Sequence, residues 1–429
     1  MTVALRPIQV VAREKIRAAF REGHKRIVAV APTGFGKTVL LADVIANHVE
    51  KVGWVKARAL IVVHRRELIA QSYAKLAAAG VPGVNVKVKT VQALLSEERP
   101  TATMLILDEA HHYVAEEWGR VAASYPGIPV LGFTATPMRD DGKPLGDIFT
   151  KLVVLAQTHE LMALEQLTRC TVFAAMRRTK DLSEQPLEAY ELRTKGRPAV
   201  VFCQSVEAAY AQAELFTAAG YPAACIEGAM KAEDRDSRLA AFASGALTVL
   251  TNVYVLTEGW DCPRAEVCIL ARGCESVGAF LQMVGRVLRV SPGKERAYLI
   301  DLRGAVHKHG LPDQAREFSL EGRAISGAEA PTKICRSCGA VNHAAARVCE
   351  ACGAEFPVAE PTGEDVAPVI EIDSVPTEQE CWDEWCAIAA DRGYKPGWIV
   401  RQFVAKFGRF PRKLWKSLGV TSPPLEGWT

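Results

Sequence analysis

Residues 31–38 read Ala-Pro-Thr-Gly-Phe-Gly-Lys-Thr, set between an apolar run at 27–30 and an apolar, helix-patterned run at 39–45. A glycine loop that hands a buried strand over to a helix belongs to parallel α/β sheets, so it constrains the fold of everything around it. Gly34 and Gly36 free the backbone to curl until its N–H groups converge on an anion, with Thr33 in the same curve. Lys37 would reach the β- and γ-phosphates, and Thr38 would offer a hydroxyl to Mg²⁺. A second apolar run, 104–107, ends in Asp108-Glu109-Ala110-His111. An acidic strand end of this kind places Asp108 beside the metal and Glu109 where it can polarise a water. Together the two segments predict a site for ATP and Mg²⁺ and the chemistry of phosphoanhydride hydrolysis.

Short apolar runs recur at 60–63, 104–107, 130–133, 199–202, 248–250, 267–270 and 298–300, and helix-patterned stretches at 67–79, 206–219 and 235–243 lie between them. That alternation predicts parallel sheets covered on both faces. The phosphate loop falls only in the first half. The reading is therefore two α/β lobes, 1–160 and 197–325, with a charged, irregular connection at 161–196 and a nucleotide cleft between the lobes. Gln282, Arg286 and Arg289 stand at i, i+4 and i+7, which would align them on one helix face. Arginines brought from across a cleft suit a γ-phosphoryl transition state, whose charge spreads over three oxygens.

The 429 residues leave room for about three domains. No apolar run approaches the roughly 18 residues that a membrane helix needs. The N-terminus is amphipathic, with Arg6, Arg13, Glu14 and Arg17, and not the apolar core of a signal peptide. The expected setting is cytoplasmic, with no membrane partner. A net charge of +3 means that nucleic-acid binding would have to come from local basic patches.

Cys170, Cys203, Cys225, Cys262, Cys268 and Cys274 share no spacing and read as buried thiols in a reducing compartment. Cys335, Cys338, Cys349 and Cys352 form two Cys-x-x-Cys-Gly knuckles, the pattern of an all-thiolate Zn²⁺ ribbon over 333–354. Iron in a rubredoxin-like site would use the same ligands, and the ribbon could be a structural clip or a nucleic-acid contact. Residues 355–380 hold eight acidic residues and no Lys or Arg, which reads as an extended linker. In 381–420 basic residues interleave with aromatics, among them Tyr394, Lys395 and Trp398. This predicts a small helical domain with Trp382, Trp385, Phe403 and Phe407 in its core.

The motif order resembles the superfamily-two helicases of DEAD/DEAH-box type over roughly residues 3–320. Leu5-Arg6-Pro7-Ile8-Gln9 resembles the family's adenine-reading element, which implies that Gln9 recognises the base. The segments around Arg66 and at Thr90-Val91-Gln92 resemble its first-lobe strand contacts. Gly132-Phe133-Thr134-Ala135-Thr136-Pro137 resembles the element that couples hydrolysis to movement, with hydroxyls at Thr134 and Thr136. Thr251-Asn252 and Thr257-Glu258-Gly259-Trp260-Asp261 are similar to the second lobe's motif, where Thr251 would touch the strand and Gly259 and Asp261 the ribose side. The ribbon and the module around Tyr394-Lys395-Pro396-Gly397-Trp398 resemble the RadD-type bacterial helicases. That likeness implies DNA, single-stranded or branched, as partner and a role in repair or replication-fork processing, in a bacterial nucleoid or a phage-infected cell, with other repair proteins docking on the C-terminal domain. The motifs alone leave RNA open, because backbone contacts do not report a 2′-hydroxyl.

Overall fold

The computed structural model describes residues 4–64, 66–81, 83–97, 99–111, 115–137, 144–175, 178–257, 259–321, 332–343, 346–356, 378–393 and 395–407. His112, Tyr394, Glu258, most of the acidic linker and everything after 407 lie outside them. The chain divides into two units, Met1–Pro357 and Val358–Thr429.

The first lobe opens with α1 (Pro7–Arg21), β1 (Arg26–Val30), α2 (Lys37–Val52), β2 (Ala59–Val63) and α3 (Glu67–Ala78). It continues through β3 (Val86–Thr90), α4 (Val91–Ser96), β4 (Met104–Leu107), α5 (Ala115–Ala123), β5 (Val130–Thr134), β6 (Lys151–Val154) and α6 (Thr158–Ala163). Its six strands lie in the order β3-β2-β4-β5-β1-β6, every pair parallel. All residues of β2, β4 and β5 are buried, as expected of strands covered on both faces. Because β4, β5 and β1 are neighbours, the loops leaving their carboxyl ends stand side by side. Ligands of open α/β sheets bind at such an edge.

The second sheet begins earlier than the sequence pattern indicates. Within the expected connection 161–196, β7 (Cys170–Ala174) pairs in parallel with β12 (Ala297–Asp301), and α7 (Pro186–Thr194) buries Tyr190 against the sheet. A five-residue strand flanked by charged residues gives little local signal, and its partner is distant in sequence. The lobe is completed by β8 (Ala199–Cys203), α8 (Val206–Ala218), β9 (Ala223–Ile226), α9 (Ala232–Ser244), β10 (Val249–Asn252), β11 (Val267–Ala271), α10 (Val277–Gly285) and α11 (Ala305–His309). Five of the six scattered cysteines are buried here and Cys170 is half-buried.

After α11 the chain returns to the first lobe as a strap. Gln157 holds Arg316 by both backbone groups: Arg316 N–H donates to Gln157 Oε1 at 2.7 Å, and Gln157 Nε2 donates to Arg316 O at 3.0 Å. Gly146 N–H donates to Leu320 O at 3.0 Å, and Leu320 packs into a cluster with Leu145, Ile148 and Phe149.

The cysteine ribbon does not stand apart from this sheet. Its hairpin, β13 (Thr332–Ile334) and β14 (Ala340–His343), adds antiparallel to the edge of β7, giving the order β13-β14-β7-β12-β11-β8-β10-β9. In the other unit, α12 (Glu378–Arg392) and α13 (Pro396–Phe407) enclose Trp382, Ala389, Ile399 and Phe403, with Trp382 edge-on to Phe403 at 5.8 Å.

Candidate functional site: an interlobe nucleotide cleft

From β1 the chain enters the phosphate loop, where Gly34 and Gly36 adopt φ of +90° and +85°. A Cβ on Gly34 would meet Leu167 Cδ2 at 2.6 Å, and one on Gly36 would meet Gln9 Nε2 at 2.6 Å. The left-handed conformation favours glycine at both positions, and a side chain would also have to displace the tips of Leu167 or Gln9. α2 starts directly behind at Lys37, so the positive end of a 16-residue helix meets the cleft.

Beside it, Asp108 and Glu109 leave β4. Glu109 holds a left-handed φ of +50°, while Ala110 N–H stays on the ladder, donating to Phe133 O at 2.7 Å. Lys37 Nζ donates to Glu109 Oε1 at 3.0 Å. Desolvation, then the neighbouring Glu109 charge, raise the Asp108 carboxyl above its ordinary value, with Lys37 opposing them. Two carboxylates this close favour a cation between them and phosphate.

His111 connects three elements. Its Nδ1 lies 2.8 Å from Thr134 Oγ1 and 3.6 Å from Glu109 Oε2, and its Nε2 lies 3.0 Å from Gln282 Nε2. Thr134 donates its hydroxyl proton to Thr136 O at 2.6 Å, so it accepts from His111 Nδ1–H. That leaves Nε2 as the acceptor for the Gln282 amide, which fixes the tautomer. The Glu109 carboxylate, the Thr134–Thr136 turn and the second lobe thus meet on one imidazole. The role of His111 is not legible in the spelling of the motif.

α10 comes close through glycines: a Cβ on Gly278 would stand 2.8 Å from Thr136 Oγ1, and one on Gly285 would stand 2.9 Å from Thr33 Cβ. The expected helix through Arg289 is shorter than the spacing implies. It ends at Gly285 with Arg286 as its cap, and the segment beyond is drawn onto Leu167 and Thr168, whose N–H donates to Leu288 O at 2.7 Å. Arg286 Nε donates to Thr257 O at 2.9 Å, and one of its terminal nitrogens donates to Trp260 O. Arg289 donates to Trp260 O at 3.0 Å and pairs with Asp261. Both arginines line the same cleft of about 410 Å³ as Thr33, Gly34, Gly36, Lys37, Thr38, Asp108, Glu109, Gly259 and Asp261.

Three expected contacts are placed differently. Gln9 is 1% exposed and spends its amide on the phosphate loop, donating to Phe35 O at 3.1 Å and Gly36 O at 3.3 Å. It braces the loop, and its neighbour Arg6 reaches the cleft instead. Thr90 is buried as the cap of α4, accepting from Ala93 N–H at 3.3 Å. Thr251 is fully buried and donates to Ala209 O at 2.6 Å. Other groups reach that edge of the second sheet, Gln204 and Tyr254 exposed and Arg272 and Arg303 half-buried. The ends of β8, β10, β11 and β12 bring Gln204, Tyr254, Arg272 and Arg303 together, with the Arg272 guanidinium 3.4 Å from the Tyr254 ring centre. Arg66 and Gln92 are exposed in the first lobe. In the C-terminal unit Lys395 is exposed, whereas Trp398 lies half-buried against the helical core.

The four ribbon sulfurs lie within 4.8 Å of one another, with Cys335–Cys352 and Cys338–Cys349 at 3.7 Å. A tetrahedron with metal–sulfur bonds of about 2.3 Å has edges of about 3.8 Å, so the donor set fits zinc. Asn342 Nδ2 donates to Cys349 Sγ at 3.5 Å and supplies outer support.

Two parallel α/β lobes sharing one cleft, one lending a phosphate loop and acidic strand end, the other lending arginines, define an ATPase of the helicase class. The family model described as "Helicase conserved C-terminal domain" matches residues 159–291, and "Type III restriction enzyme, res subunit" matches 2–98 and 83–139. The chain belongs to the superfamily-two helicases. It is 29% identical to a "51.5 kDa protein" of a Lactococcus phage, over 77% of the chain and 78% of that protein. It is 27% identical to the IRC3 protein of Saccharomyces cerevisiae over 67% of the chain, and spans only 50% of that relative's length. It is 25% identical to "DNA 3'-5' translocase XPB2" of Sulfurisphaera tokodaii, over 64% of the chain and 77% of that protein. No helix among the described residues is long and apolar enough to cross a membrane.

Proposed function

We propose that the protein is a DNA-driven ATPase that moves along or unwinds single-stranded or branched DNA, in repair or replication-fork processing. The observation that carries this reading is the shared cleft, in which Arg286 and Arg289 of one lobe line the same cavity as Lys37, Asp108 and Glu109 of the other. Lys37, Thr38 and Asp108 would hold the phosphates and Mg²⁺, which supplies charge neutralisation when bound. Nucleotide arrival would draw Lys37 from Glu109, freeing that carboxylate to orient the attacking water. Arg286 and Arg289 would meet the charge of the transition state. His111, Thr134 and Thr136 would report the state of Glu109 to α10 through Gln282. The choice of DNA draws on the translocase relative, the restriction-subunit model over the first lobe, and the RadD-like ribbon and C-terminal module.

ATPase rates with single-stranded DNA, duplex DNA and RNA, measured beside strand displacement, test this. DNA should stimulate turnover more than RNA of equal length. Stimulation by RNA alone would make this an RNA-remodelling enzyme. Hydrolysis indifferent to every nucleic acid would reduce it to an adaptor whose ATPase only gates binding.

A further inference from the structure

Lys294 belongs to none of the motifs above. It lies in the turn between Arg289 and β12, half-buried. Its ammonium, with three N–H donors, lies within hydrogen-bond distance of four main-chain carbonyls: Ala265 O and Val287 O at 2.6 Å, Arg289 O at 2.8 Å and, sharing a donor, Pro263 O at 3.2 Å. Burial pushes the ammonium down to about 8 and Glu266 pulls it back up, so the clamp is charged below that pH.

The four carbonyls come from two segments. Pro263 and Ala265 continue the loop of Gly259, Trp260 and Asp261, and Val287 and Arg289 carry the arginines. On the cleft side, Trp260 O already accepts from both Arg286 and Arg289. Lys294 ties the same two segments together through different carbonyls. Carbonyl dipoles converging on one point repel one another unless a cation sits between them. Without the ammonium these oxygens would be left unpaired or the segments would separate.

We infer that Lys294 is a positioning residue for Arg286 and Arg289: it fixes the spacing between the Trp260–Asp261 loop and the arginine segment, and so the reach of both guanidiniums into the cleft. The inference rests on the proposed hydrolytic role of those arginines. A displacement of about 1 Å at a reacting centre can cost about 100-fold.

The test is a cycle on the full chain with DNA saturating: the parent, Lys294→Met, Arg289→Ala and the double variant. Lys294→Met should lower kcat at least about 10-fold while KM for ATP stays within about twofold. In the Arg289→Ala background the same change should cost less than it does in the parent, because one of the two groups it positions is gone. Unchanged kcat in Lys294→Met, or a full additive loss in the double variant, overturns the inference. An Arg289→Ala protein with parental kcat would instead overturn the reading of the arginines. If Lys294→Met does not fold by circular dichroism, Lys294→Gln, which keeps two N–H donors, takes its place with the same criteria.

Discussion

In the first lobe the charged groups of the cleft face one another, Lys37 resting on Glu109 at 3.0 Å. In the second lobe they turn chiefly to the main chain: Arg286 and Arg289 share Trp260 O, Arg289 also pairs with Asp261, and Lys294 gathers four carbonyls behind them. The first arrangement is a side-chain pair that a ligand must break. The second is a frame in which backbone oxygens, joined by Asp261 at Arg289, hold each guanidinium. Loss of the Lys37 ammonium should therefore register in the binding of nucleotide, and loss of an arginine in turnover.

The sharpest way to break that contrast is Arg289→Ala. It should reduce kcat about 10³-fold, with ATP affinity changed only a few-fold, because contacts of this kind strengthen in the transition state. Pre-steady-state hydrolysis beside nucleotide titration separates the two, and a loss confined to affinity would place both lobes in the same class. Glu109→Gln should follow, with turnover lower by about 10²-fold and ATP still bound, since it removes a base and not a phosphate contact.

A ribbon stripped of ligands sharpens the contrast on the second lobe alone. Cys335→Ser with Cys349→Ser should take the metal content from about one zinc per chain to none by elemental analysis. Since β14 pairs with β7, the same variant should melt earlier, while nucleotide binding by the first-lobe loop persists. Metal-free parent protein, freshly purified under reducing conditions, would remove zinc from the account. The smallest effect belongs to Leu320→Ala. Its partly buried side chain closes a first-lobe cluster, and the loss should be about 1 kcal/mol by denaturant titration, discounted from a fully buried leucine.

Much of the molecule is legible in the chain because parallel strands buried on both faces are continuous apolar runs, and the loops at their carboxyl ends carry the polar exceptions. Phosphate loop, acidic strand end and tetracysteine knuckles all come together in space with their residues unchanged. The same double burial hides direction. In β10 both faces are buried, so nothing local tells that Thr251 points into the lobe while Tyr254, just past the strand, is exposed. Gln9 is misleading for a related reason: an amide suited to reading a base is equally suited to bracing Phe35 O and Gly36 O. β7 and the docked ribbon depend on pairings between segments far apart in sequence, which no local pattern carries. Lys294 is the extreme case. Lysines after glycine in turns are ordinary, and only the folded chain brings Pro263, Ala265, Val287 and Arg289 to one ammonium.

The strap has a consequence for how the protein is made. The first lobe has its last strand by Val154, yet the cluster around Leu145, Ile148 and Phe149 receives Leu320 only from the far end of the second lobe. A ribosome adding about 5–20 residues per second delivers that leucine roughly 8–30 s after β6. Through that interval the nascent first lobe carries an unfinished apolar surface, open to a chaperone or a neighbouring nascent chain. Separating the lobes at the genetic level would make that interval permanent.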